Sequence, residues 1–86
     1  MASVISGKVL GRNGKPKRNA RVYFTSGPVS LPEIAAVTDE GGNFSLTAPA
    51  PGEYVIESAA DDAGTQSAKV TVEADQPASI KLQHKS

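Results

Sequence analysis

The side chains able to do chemistry are few and poorly spaced for it. His84 is the single histidine of the 86-residue chain, and there is no cysteine. A histidine triad, a two-histidine metal site, thiolate catalysis and a cysteine-held zinc are therefore all excluded. His84 stands beside the C-terminus and is expected as an exposed terminal side chain. Four carboxylates come in two pairs, Asp39 with Glu40 and Asp61 with Asp62. A hard cation needs several convergent oxygens, but neither pair has a calcium-loop spacing, and a carboxylate in a turn more often caps backbone amides. No metal and no cofactor is expected. The cluster Arg12, Lys15, Lys17 and Arg18 could meet phosphate, yet no aromatic rings are interleaved to stack on bases. A solvated loop is the expectation there, with no nucleic-acid partner.

Composition agrees with a chain built for packing. Hydrophobic residues make up 38% and charged residues 21%, ordinary for a globular domain, and no apolar run approaches the roughly 20 residues of a membrane helix. Membrane insertion is not expected. Nine basic and nine acidic residues leave zero formal net charge, which removes the long-range field of a dedicated nucleic-acid binder. A chain this short holds one core, burying about 60–65% of the unfolded surface. The expectation is one domain over 1–86, with its core at about 3–83 and a frayed end at 84–86.

Alternation of apolar and polar residues, broken by turn signals at roughly ten-residue intervals, is the rhythm of a sandwich or barrel. Strands are expected near 3–10, 20–25, 33–38, 43–48, 53–59, 66–73 and 78–83. Their inward sets begin with Ile5, Gly7 and Val9, then Ala20, Val22 and Phe24, and Ile34 with Ala36. Phe44 and Leu46 follow, then Tyr54 and Ile56, Ala68, Val70 and Val72, and last Ile80 and Leu82. Asn13-Gly14 and Asp39-Glu40-Gly41-Gly42-Asn43 supply turn chemistry. Ala-rich Ser58-Ala59-Ala60 leaves room for a single helical turn over 58–64.

Gly7-Lys8-Val9 with Gly14-Lys15-Pro16, Ala20-Arg21-Val22, Thr38-Asp39 with Gly42-Asn43-Phe44, and Pro51-Gly52 with Tyr54 together resemble the carboxypeptidase regulatory-like family. That resemblance covers nearly the whole chain and implies an all-β, seven-stranded antiparallel Greek-key sandwich of transthyretin-like or Ig-like type. It also implies a non-catalytic accessory or surface module placed outside the cytoplasm. Where the family usually carries an aromatic after the fifth strand, residues 59–65 are polar. Hydroxyisourate hydrolases and intradiol dioxygenases share related sandwiches but depend on several histidines. Collagen-adhesin B-type domains are a more distant likeness. In them a glutamate after Pro-Gly-x-Tyr assists a lysine isopeptide bond, and Glu57 falls at that place. Val9 occupies the lysine position, Lys8 is one residue off and so on the opposite face, and the last strand offers no Asn or Asp acceptor. Glu57 is read as a solvated strand residue.

Successive connections of an antiparallel sandwich lie at opposite ends. One end gathers the loops 11–19, 39–43 and 60–66, where four cations and four carboxylates largely cancel. The other gathers Pro28, Val29, Leu31 and Pro32 with Pro49, Ala50 and Pro51 and the Asp75-Gln76-Pro77 turn. Apolar loop residues on a rigid scaffold suggest a contact surface, so Pro28, Val29, Leu31, Pro32, Ala50 and Pro51 are the candidate partner-binding residues. The competing reading is that Val29 and Leu31 fold back to plug the core.

A monomeric, non-enzymatic spacer or protein- or glycan-binding module of a surface or secreted assembly is the leading expectation. The alternative is a standalone cytosolic or phage-type structural protein that binds a protein partner or self-associates through strand edges. Met1-Ala2-Ser3 leads straight into a strand-like segment with neither a basic n-region nor an apolar h-region, so no signal peptide is expected within these residues. A full reading frame with a leader or neighbouring domains would favour the first reading, and a true start at Met1 without them the second.

Overall fold

A side chain on every other position faces the core, and many of those positions hold β-branched, aromatic or leucine residues; that pattern sets this backbone into strands. The computed structural model describes residues 3–29, 35–60, 64–74 and 76–84. Its strands are β1 (Ser3–Leu10), β2 (Arg21–Ser26), β3 (Ala36–Val37), β4 (Asn43–Ala48), β5 (Gly52–Ala60), β6 (Gly64–Val72) and β7 (Ala78–Gln83). They form a three-stranded sheet in the order β4-β1-β7 and a four-stranded sheet in the order β3-β2-β5-β6, the seven-stranded sandwich expected. No described residue is helical.

The core between the sheets is drawn from both inner faces. Ile5 and Val9 come from β1, Leu46 from β4, Tyr54 and Ile56 from β5, and Leu82 from β7. Phe24, Ala36, Ala68, Val70 and Ile80, expected to face inward, are half-buried and pack around that centre. Gly7 also faces inward, and there the β4 ring closes the gap. Phe44 lies across it, so a Cβ added at Gly7 would sit 2.7 Å from the ring edge and still closer to the Ile80 carbonyl. Phe44 thus covers backbone that a larger β1 residue would hide.

Four details depart from the expectations. β7 runs parallel to β1, with Gly7 opposite Ile80 and Val9 opposite Leu82, while the other pairs are antiparallel. β3 is only two residues long, against an expected 33–38; Ile34 lies outside the described residues. The helical turn suggested over 58–64 gives way to extended backbone at Ser58–Ala60 and Gly64, which belong to the β5–β6 hairpin; 61–63 lie outside the described residues.

The fourth departure is His84, which is neither exposed nor frayed. Its ring is 1% exposed, its amide donates to the Leu10 carbonyl at 2.8 Å, and Nε2 lies 3.0 Å from the Ser58 hydroxyl. The cause is the parallel pairing, which carries the chain alongside the end of β1 and keeps the parity of Ile80 and Leu82 one step further. Ser58 shares the inward parity of Tyr54 and Ile56 and is fully buried. A buried hydroxyl without a partner costs about 1–3 kcal/mol, and His84 supplies the partner. Among the described residues no buried side-chain polar atom is left unsatisfied.

Candidate functional site

The end of the sandwich that carries the candidate residues is assembled by two backbone constraints. Gly52 has φ 143°, a conformation that favours glycine, and a Cβ there would lie 2.7 Å from Pro28 Cγ. The 26–29 loop is therefore seated directly on the start of β5. Two residues on, the Tyr54 ring is fully buried and tilted against Phe24 at 5.1 Å between centroids. Its hydroxyl donates to the Ala50 carbonyl and accepts from the Ala50 amide at 3.2 Å. One phenol thereby ties down the crossing from β4 to β5. The tie is readable in hindsight, because an inward tyrosine in place of phenylalanine needs a partner for its polar tip.

β2 approaches this end through an irregularity. Phe24 pairs with Ile56 but Ser26 pairs with Val55, so the register shifts at Thr25. A shift of this kind bends the strand and re-aims the chain beyond it, here the Gly27–Val29 loop. On the three-stranded side, Ser3 pairs with Ala48 and its hydroxyl donates to the Glu73 carbonyl at 3.4 Å.

Of the six candidates, Pro28 and Pro51 are exposed, Ala50 is half-buried and Val29 is 44% exposed. Leu31 and Pro32 lie outside the described residues. The structure brings Pro28 against Gly52, beside Ala50 and Pro51, so the two candidate loops share one surface. Chemically that surface offers apolar area and stiff backbone, with no nucleophile or acid–base pair among its described residues.

The opposite end is tightly hydrogen-bonded. Thr38 is buried, its hydroxyl donating to the Lys17 carbonyl at 2.6 Å and accepting from the Ala20 amide at 2.9 Å. Asn13 Oδ1 accepts from the Lys15 amide at 3.1 Å, and Gly14 takes φ 80°, the turn its Asn-Gly sequence called for. Asp39 Oδ1 accepts from the Gly41 and Asn43 amides, each at 2.9 Å. The Asn43 amide bond does most to hold this carboxyl below the ordinary aspartate range, aided by Gly41, the Asn43 side chain and the Lys8 charge, against a partial desolvation. Asp39 is thus a turn cap. Asp61 and Asp62 lie outside the described residues, among which no group of three or more metal-ligating side chains occurs.

Glu57 and Lys8 are on opposite outer faces. Glu57 accepts a hydrogen bond from the Tyr23 hydroxyl on the four-stranded sheet, and that bond, then burial and the carboxylate charge, raise the Tyr23 phenol above its usual value, with Arg21 opposing. Lys8 is exposed on the three-stranded sheet, opposite Asn43 and Lys81. With the core between glutamate and lysine, no isopeptide geometry exists among them. The intact mass is expected to equal the sequence mass; a mass lower by one water (about 18 Da), mapping to Lys8 or Lys81 in a digest, would contradict this.

Ser58 and His84 have the types of a nucleophile and its base. With exposures of 0% and 1% they are closed to any substrate, and they serve as an internal polar tie.

Comparison with known proteins fits this picture. A family model described as the carboxypeptidase regulatory-like domain matches residues 4–85. Among solved structures, the chain is similar to the BcpA major pilin subunit of Bacillus cereus, with a TM-score of 0.74 at 11% identity over 98% of this chain and 29% of that one. It is also similar to a DUF3823 family protein from Parabacteroides merdae, with a TM-score of 0.64 at 18% identity over 96% of this chain and 45% of that one. The chain spans less than half the length of either. No curated protein matches it.

Proposed function

This chain belongs to the carboxypeptidase regulatory-like domain family, and on that footing we propose that it is a non-catalytic accessory module. Its apolar end contacts a partner within a larger surface or secreted assembly. The single observation that carries the reading is the build of that end. Pro28 rests on Gly52 and the Tyr54 hydroxyl holds Ala50, while Val29 remains 44% exposed above them. Loops already ordered lose little entropy on binding, and apolar side chains exclude water from the contact. A protein partner fits better than a glycan, since the described part of this end exposes no aromatic ring. Similarity to two longer proteins, one of them a pilin subunit, supports a role as one part of a larger whole.

The test is partner capture with the immobilised chain, using surface proteins and glycans of its own source. Val29→Ser combined with Leu31→Ser is expected to abolish capture, and Lys15→Glu with Lys17→Glu to leave it nearly unchanged. Loss confined to the lysine pair, with steep salt dependence, would instead assign an anionic partner to the charged end.

A further inference from the structure

Four strands form the edges of the two sheets, and three of them are short or blunted. β3 has two residues, β4 runs into Pro49, and β7 follows Pro77; short length and proline are the usual protections against edge pairing. β6 has neither. Its nine residues pair with β5 along their full length, and among the described residues no strand pairs with its other side. A row of backbone amides and carbonyls is left facing outward there.

The side chains beside that edge are also incompletely covered. β6 lies against β7 where the two sheets meet, and Ala68 and Val70 of β6 with Ala78 and Ile80 of β7 are only half-buried. An apolar seam thus runs under an open backbone edge. The one charged residue of β6, Lys69, is exposed and lies 3.9 Å from Glu53 of β5, so it is the charge that a pairing register has to place.

We infer that β6 pairs antiparallel with β6 of a second copy about a two-fold axis through Ala68, joining two four-stranded sheets into one and covering the seam from both sides. Three features select this occupant and register. Ala68 is the midpoint of Gly64–Val72, so all nine residues pair and each inward side chain meets an inward one. Lys69 then faces the partner's Ser67. An axis through Lys69 would instead set the two lysines directly opposite each other, and like charges at that spacing repel. Zero formal net charge on each copy leaves no long-range repulsion to oppose the encounter. Sequence favours a monomer with self-association through strand edges as the alternative, and this pairing gives that alternative a named strand and register. It is independent of the apolar end.

Sedimentation of the purified chain up to about 1 mM, the regime of a small interface, tests the pairing. Ser67→Lys is the discriminating variant. Ser67 is exposed and opposite Glu57 on its own sheet, so the fold is not put at risk, yet each new cation meets the partner's Lys69. Association is expected to weaken about tenfold. Mixing that variant with Lys69→Glu is expected to restore it, since a new cation then faces a new carboxylate. Val29→Ser with Leu31→Ser should associate like the parent, which keeps this result separate from the partner test. A parent chain that stays monomeric at about 1 mM overturns the inference and leaves the edge to a foreign strand or to none. A pair indifferent to Ser67→Lys overturns it too.

Discussion

Replacement of Tyr54 by alanine is expected to lower the unfolding free energy by ~3–5 kcal/mol. The ring is fully buried and meets Phe24, and the chain holds four aromatic residues in all, so few groups of this size are available to fill the void. The hydroxyl adds a second loss, because Ala50 forfeits its partner for both amide and carbonyl. With a total stability of about 5–10 kcal/mol, much of the population could unfold at growth temperature. Urea denaturation measures the loss, and Tyr54→Phe separates its parts, retaining the ring and costing about 1 kcal/mol for the hydrogen bonds. A Tyr54→Ala midpoint close to the parent's would show that the inner face of β5 is wrongly placed.

Phe44→Ala is the second large effect, also ~3–5 kcal/mol. Beyond the lost burial, it uncovers Gly7, whose backbone has no side chain of its own and lies under the Phe44 ring. The damage should therefore reach across the sheet. Amide exchange is expected to quicken at Gly7 and at its neighbour Ile80 in β7 as well as in β4. Exchange confined to β4 would mean that Phe44 only fills space.

The alternation that sets these two rings inward was legible in the sequence, because a period of two assigns faces without knowledge of neighbours. So were the turns at Asn13-Gly14 and Asp39–Asn43, where side-chain oxygens and glycine act locally. Pairing over long distances was not. Nothing local in 78–84 states that β7 will run parallel beside β1, and so His84, next to the charged Lys85, read as a loose end. Parity held the clue, since Ile80, Leu82 and His84 share one face and Ser58 is a polar residue on the inner face of β5. Strand reversal alone decides which loops share an end, and among the described residues Pro28 does meet Gly52, while Leu31, Pro32 and Asp75 lie outside them. The Gly52–Pro28 seat was out of reach, because it depends on how two distant segments meet, whereas the Tyr54–Ala50 tie spans only four residues and its signal was the inward tyrosine itself.

If the apolar end is a rigid surface turned outward, the Val29→Ser, Leu31→Ser variant folds as stably as the parent. Substitutions on an exposed surface shift stability by no more than about 0.5 kcal/mol, so its urea midpoint is expected to match the parent's while partner capture is lost. A loss of about 2 kcal/mol or more, the size of a buried aliphatic group removed from the core, would show instead that these residues plug the sandwich and offer no contact surface.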